Sequence, residues 1–538
     1  MRISTQQYYD TSTAKYQENY SSVVKSQDQA SSGVRVQTAA DDPVAAARLL
    51  LLQQQKDMLG QFNGNITSLK NSLTNEEGVL TAVNDALQRA SELALRAGGS
   101  LSDADRRSIA GEIGAIEDSV LGLLNSKDSS GNYLFSGAKT QTPPYARNND
   151  GTYSYQGDET PLSLQVSDTL NISAGDTGKT ILEGAVNSGR TQAKWIQPTV
   201  VPPAAPVVND DKVALSAGLV TSSTDYAQKF AEGQPYKLTF TSSTQYVVLD
   251  KNNNDITSEI QGNGTFDSTK DGSSSVNLRG VKFDISLNLG NIASGPDSDA
   301  VVKDRAFTLE TKPDTFSVSR TPSNASKAQL TGGAVTNQTT YASTFPANSG
   351  AVIKFTSATA YEVYAQPYTA NSKAIASGVT GLSPTGGTTV TAAGITFDVS
   401  GDTPQSGDQF SVGATTQKTQ NALDTLSQLR QQLEKPADGN PGAMVKLKDV
   451  LDASIANLSN SRTQVDNVRG SLGARQNALD IQSAENTSVG LANTTTMSDL
   501  GNMDTAQAAI NLTLQQSMLE ASQLAFVKVS QLSLFNKM

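Results

Sequence analysis

The chain has 538 residues, enough for several domains, with 37% hydrophobic residues, a single tryptophan (Trp195) and a formal net charge of −11. Cysteine and histidine are absent, which excludes disulfides, thiolate nucleophiles, Cys/His zinc sites and the usual neutral-pH general base. The acidic balance also argues against nucleic-acid binding, which needs clustered Lys and Arg to neutralise phosphates.

The first residues, "MRISTQQYYDTSTAKYQ", carry no apolar stretch of the kind a secretory signal uses, and no later run is long and apolar enough to cross a membrane. Over residues 5–32, Tyr9, Tyr16, Val23 and Ala30 recur at seven-residue steps, with Tyr20 on the adjoining row. That spacing predicts an amphipathic helix and makes the tyrosines a packing face rather than a sugar-stacking platform. In "SSGVRVQTAADDPVAAARLL" (31–50) two carboxylates, Asp41 and Asp42, precede a proline. Asp42 reads as an N-cap and Pro43 as the first helical residue, with both acids at the positive end of the helix dipole. The pair is helix punctuation, because no base or further acid stands ready to make it catalytic.

From 59 to 94, Leu59, Phe62, Ile66, Leu69, Leu73, Leu80, Val83, Leu87, Ala90 and Ala94 follow alternating steps of three and four, with Glu76 the one polar occupant. This is the seam of a long helix packed in coiled-coil fashion. Gly98 and Gly99 break it, and Ser102 with Asp105 reads as a capping box opening a second helix to about residue 126. Near the other end Leu451, Leu458, Val465, Leu472 and Leu479 recur every seven residues. Two long one-sided helices find their simplest partner in each other.

The middle, about 132–416, is rich in Gly, Ser, Thr and Asn with short β-type runs, and "QPTVVPPAAPVV" (197–208) reads as a proline-stiffened linker. It repeats itself. "VALSAGLVTSSTDYAQKF" (213–230) aligns with "AQLTGGAVTNQTTYASTF" (328–345), matching Leu215 to Leu330, Gly218 to Gly333 and Tyr226 to Tyr341. A period this long means a duplicated β domain rather than a solenoid.

The last helix, within 505–535, crowds Ile510, Leu514, Met518, Leu524 and Phe526 on one broad face, with Leu532 and Phe535 beyond. Both chain ends are amphipathic but modestly apolar, so they are expected to be loose in the monomer and to order on association. The expected fold is multidomain α plus β: a long antiparallel helical coiled-coil bundle built by both ends, with mainly-β domains inserted. Its parts are an assembly helix and loop (1–42), the first half of the helical core (43–131), a first β domain (132–196), the linker (197–208), β repeats (209–320 and 324–416), the second half of the core (417–497) and a C-terminal assembly helix (498–538).

No segment offers convincing chemistry. "DKNNNDITSE" (250–259) lacks the glycine and final glutamate of a calcium loop and reads as a polar turn. "SGNYLFSG" (130–137) has no Lys-Ser/Thr to complete a phosphate loop. The repeats share an acid, Asp284 and Asp398, but a glycosidase needs two carboxylates across one cleft. No catalytic, cofactor or metal site is expected.

The termini resemble a known family. "SSGVRVQTAADDPVAAA" is similar to the flagellin N-terminal signature and "VRGSLGARQNALD" (468–480) to its C-terminal counterpart, while "SGNYLFSG" and the ending "QLAFVKVSQLSLFNKM" resemble the hook-associated protein 3 branch at the hook–filament junction. The resemblance implies a structural protein of the flagellum, exported by the flagellar type III apparatus and assembled as a ring. Its implied partners are copies of itself, hook-associated protein 1, flagellin, and an export chaperone at the C-terminal end. Flagellin itself is the nearest alternative, and a carbohydrate-binding adhesin or hydrolase built on the β repeats is the alternative of a different class. The repeats exceed what a minimal member carries, so the resemblance implies no role for them.

Overall fold

The computed structural model describes residues 5–148, 151–198, 209–267, 274–292, 295–346, 350–382 and 387–535. No described helix is long and apolar enough to cross a membrane. Six helices of twelve residues or more carry the ends of the chain: α1 (Thr5–Ser32), α2 (Pro43–Ala97), α3 (Asp103–Leu124), α4 (Ala422–Leu433), α5 (Pro441–Gly501) and α6 (Thr505–Phe535). The chain divides into two bodies. One takes Met1–Asn75, Leu162–Gly175 and Ser471–Met538; the other takes Glu76–Pro161 and Asp176–Gly470.

In the first body α1 lies antiparallel to α6, and the early part of α2 lies antiparallel to the late part of α5. Tyr9 and Tyr16 stack on Phe526, with ring centroids 5.4 and 6.2 Å apart. Asn63 meets Asn486, and Lys70 pairs with Asp480 at 2.6 Å. Phe62, Ile66, Leu69 and Leu73 are buried from α2, as are Leu472 and Leu479 from α5. A short hairpin, β3 (Ser163–Gln165) with β4 (Asn171–Ser173), fastens to both helices: Asn65 donates to the Gln165 carbonyl and Asn486 to that of Val166.

In the second body the remaining seam, Leu80, Val83 and Leu87 with Leu451, Leu458 and Val465, is fully or nearly fully buried. Arg462 of α5 donates to Asn84 and Gln88 of α2, again antiparallel. Glu76 accepts the Asp176 amide on both oxygens, at 3.1 and 3.2 Å, which accounts for a polar residue in an apolar seam. Ser102 and Asp105 form the capping box that starts α3. Buried Glu117 of α3 receives Arg430 of α4 at 2.8 Å and the Tyr153 hydroxyl at 2.7 Å, tying in the small sheet of β1 (Tyr145–Arg147) and β2 (Tyr153–Tyr155).

Two β modules follow, each of two antiparallel sheets around its own core. The first holds β5 (Thr191–Ile196), β6 (Val213–Leu215), β7 (Leu219–Val220), β8 (Tyr236–Phe240), β9 (Tyr246–Leu249), β10 (Ser274–Leu278), β11 (Val281–Leu287) and β12 (Ala306–Thr311). The second holds β13 (Thr315–Arg320), β14 (Gln329–Val335), β15 (Ala351–Phe355), β16 (Ala360–Ala365), β17 (Ala376–Val379), β18 (Gly381–Leu382), β19 (Thr388–Ala392), β20 (Ile395–Ser400) and β21 (Gln409–Thr415). Their strand orders superimpose: β5-β12-β8-β9 answers β13-β21-β15-β16, and β10-β11-β6 answers β19-β20-β14. Register agrees too, with Leu215 opposite Ile285 and Leu330 opposite Val399.

The strands draw the modules differently from the boundaries expected at 209–320 and 324–416. β5 precedes the proline-rich segment yet pairs along its whole length with β12, while β13 pairs with β21 of the second module. Each module therefore opens with a strand whose partner lies about a hundred residues onward, beyond the reach of local patterning. The segment expected as a linker lies, from residue 199, outside the described residues.

Candidate assembly surface

The first body carries the features of the chain ends. Gly33 adopts φ 69° just after α1, a left-handed helix stop that a side chain would strain. The chain then turns along α5: the Arg35 amide donates to the Gly501 carbonyl at 2.7 Å, its guanidinium donates to that of Leu500 at 2.8 Å, and the Met503 amide donates to Gly33 at 2.9 Å. The acid pair sits in this turn and divides the work. Asp42 caps α2 by accepting the Ala45 amide at 3.0 Å and pairs with Arg35 at 3.3 Å. Asp41 closes the loop by accepting the amides of Gln37 and Thr38, at 3.0 and 2.8 Å, and by pairing with Lys25 of α1. The Lys25 contact, followed by the Thr38 amide, holds the Asp41 carboxyl down at about 2. Every partner of the two acids thus closes the turn or caps the helix.

The residues singled out at the ends fall on two faces. Val23 is buried, Tyr16 is half-buried, and Tyr9 and Phe526 close the α1–α6 pair. Ile510, Leu514, Met518 and Leu524 point away from α1 and are 48–66% exposed, and Tyr20 is exposed as well. The side chains of Leu532 and Phe535 lie outside the described residues. From Thr505 to Leu519 the ridge of α6 contains no charged residue.

Beside it, Val34, Val36, Leu49, Leu50 and Met497 line an open groove of about 700 Å³ whose fourteen lining residues likewise include no charge. Val44, Leu51 and Met58 extend this apolar strip along α2, all of them exposed. Exposed apolar residues gathered in one strip, rather than scattered singly, are uncommon on a monomer's surface.

Three comparisons bear on what that surface is. Residues 3–140 match the bacterial flagellin N-terminal helical region. Over 189 residues the chain is 34% identical to flagellar hook-associated protein 3 of Salmonella typhimurium and, over the same length, 32% identical to that of Escherichia coli; the match covers 35% of this chain. The chain spans 59% of the length of each of these two curated relatives. Flagellin of Bacillus subtilis is 33% identical over 142 residues, 24% of this chain and 45% of that protein. Among solved structures, flagellar hook-associated protein 3 of Legionella pneumophila aligns with a TM-score of 0.48 at 19% identity, over 84% of this chain and 98% of that one.

The other sites weighed in the sequence resolve as structure. Asp250 spends its carboxylate on the Asn252 and Asn254 amides and the Asn254 side chain, forming a polar turn. Asp284 pairs with Lys448 of α5 at 2.7 Å and with Lys282 at 3.2 Å, whereas its repeat mate Asp398 is exposed. No group of three or more acids that could hold a metal occurs among the described residues. Sequence reasoning missed Asp449 of α5, which accepts the Ala217 amide at 2.9 Å and is pushed up to about 7 by burial. No local pattern marks it, because the first β module does the burying.

Proposed function

We propose that this chain is the hook–filament junction protein of a bacterial flagellum: a non-enzymatic subunit that assembles with copies of itself into a ring outside the cell and presents a surface on which flagellin polymerises. The uncharged ridge of α6 beside the uncharged groove at 34–53 and 494–502 carries the reading. Contact of the ridge of one copy with the groove of the next would be head-to-tail, the arrangement that closes rings. Among the described residues α1 and α6 bury little between them, with Val23 and Ala508 the buried apolar residues of the pair. That supports ends that gain their full order only on assembly.

Kinship with hook-associated protein 3 supports the remaining partners: hook-associated protein 1 on the hook side, flagellin on the filament side, and an export chaperone on the C-terminal helix before assembly. Deleting the gene and imaging cells by electron microscopy tests the reading. Bare hooks with flagellin accumulating in the medium are expected. Bare hooks with no filament protein anywhere would make the chain the flagellin, the second reading that its 33% identity to the Bacillus protein keeps in play. Intact filaments would overturn both.

A further inference from the structure

One cavity lies wholly within the second body and takes no part in the assembly surface. It encloses about 820 Å³ where the last turn of α2, the opening turns of α5 and β11 meet, inside the range of roughly 300–1,000 Å³ typical of small-molecule sites. Much of its wall is apolar: Leu95 of α2, Leu287 of β11, and Met444, Val445 and Ile455 of α5. Leu95 is 71% exposed and Met444 41%, so the chain's own packing leaves this wall uncovered. Three carboxylates and one ammonium share the same cavity: Asp284, Asp449, Asp452 and Lys448. Asp284 is matched, by Lys448 at 2.7 Å and by Lys282 at 3.2 Å. Asp449 spends one oxygen on the Ala217 amide at 2.9 Å. Lys312, just past β12, is the other cation that acts on Asp449, and it gives its ammonium to the Gly189 carbonyl at 2.6 Å. Among the described residues Asp452 accepts no hydrogen bond and closes no ion pair, although it is half-buried. Burial raises both of these carboxyls, Asp449 to about 7.

We propose that this cavity binds a small organic cation, an ammonium carried on an apolar body: the body covers Leu95 and Met444, while the ammonium donates to Asp452 and to the second oxygen of Asp449. The class of ligand follows from what lines the cavity. An anion would meet three carboxylates against one lysine. A neutral apolar molecule would strip water from Asp452 and give no hydrogen bond in return, a loss that buried polar groups do not tolerate. A bare metal ion needs several converging oxygens, and no such group occurs among the described residues; it would also leave the apolar wall open. An ammonium on an apolar body answers both halves of the lining, and its hydrogen bonds to carboxylates are of the strong, charge-assisted kind. Binding is coupled to pH: the ammonium displaces the proton that Asp449 holds below about 7, so affinity rises as that proton is lost. The joint between the first β module and α5, where Asp284 and Asp449 already bond across it, is then bridged by the ligand as well.

The probe is phenethylamine, titrated into the full-length chain by calorimetry, with phenethyl alcohol and phenylacetate as its neutral and anionic counterparts. Saturable one-to-one binding of the amine is expected, about tenfold tighter than the alcohol, as a hydrogen bond to a charged group is worth, with no binding of phenylacetate. Affinity for the amine should rise between about pH 6 and pH 8, the range over which Asp449 loses its proton, while that for the alcohol should not. Asp452→Asn keeps the size of the side chain and should weaken the amine about tenfold, leaving the alcohol unchanged. Leu95→Ser, at an exposed position of α2, keeps the test decisive should Asp452→Asn fail to fold: it should weaken amine and alcohol alike. No saturable binding at millimolar amine, equal affinity for amine and alcohol, or an amine affinity untouched by Leu95→Ser would overturn the proposal. None of these outcomes depends on whether the chain serves at the junction.

Discussion

The two β modules share strand order, register and core, and differ in what their surfaces do. In both, a glycine lets a phenylalanine ring press on the backbone: a Cβ on Gly218 would collide with Phe283, and one on Gly333 with Phe397. In both, a tyrosine packs beside a phenylalanine in the core, Tyr226 with Phe230 and Tyr341 with Phe345, at 5.6 and 5.5 Å. Outside the core they part. The first module is bolted to α5: Asp284 meets Lys448, Asp449 takes the Ala217 amide, and the strand leading into β5 donates its Ser188 amide to Asn457 at 2.7 Å. The second leaves Asp398 exposed at the position equivalent to Asp284. Duplication preserved the packing that each module needs alone, while the surfaces diverged: the repeat acid is bonded to α5 in the first module and exposed in the second.

That comparison breaks most readily in the cores. Phe283→Ala and Phe397→Ala each empty a fully buried ring position and should each cost about 3–5 kcal/mol, read by denaturant unfolding. A loss below about 1 kcal/mol for one and not the other would show that the modules are not equivalent inside. The attachment to α5 is next. Burial raises the Asp449 carboxyl from its ordinary 3.8 to about 7, so the folded state holds a proton there that the unfolded chain gives up. Stability from this group is therefore greatest below about 4, falls as pH rises towards 7, and is flat above. Asp449→Asn keeps an acceptor for the Ala217 amide and should stabilise the chain at pH 8 by up to about 4 kcal/mol, at roughly 1.4 kcal/mol per pKa unit, while removing that slope. The smallest effect separates the repeat acids: Asp284→Ala should cost about 0.5–1 kcal/mol for a partly exposed ion pair, and Asp398→Ala less than about 0.5. Equal losses would mean that the second module is anchored too.

How far the sequence revealed this depends on distance along the chain. The seam from Phe62 to Leu87 and from Leu451 to Leu479 is legible because helical periodicity is local and both helices keep one apolar side. The duplication is legible because its core residues recur in order. The module boundaries are not, since β5 and β13 find their partners about a hundred residues away. The broad apolar face of α6 could be recognised, but not its division: Phe526 turns to Tyr9 and Tyr16 while Ile510, Leu514 and Met518 turn outward, and only the path of α1 decides which. Asp449 was invisible for the same reason, as an ordinary helix acid until a β module lands on it.

The measurement that bears most directly on the account is complementation of the gene deletion with Leu514→Asp, a charge placed on the exposed ridge of α6 where it disturbs nothing the chain itself buries. The account predicts a protein that folds and is exported normally yet leaves bare hooks and free flagellin in the medium. Filaments restored to wild-type number and length by this variant would contradict it.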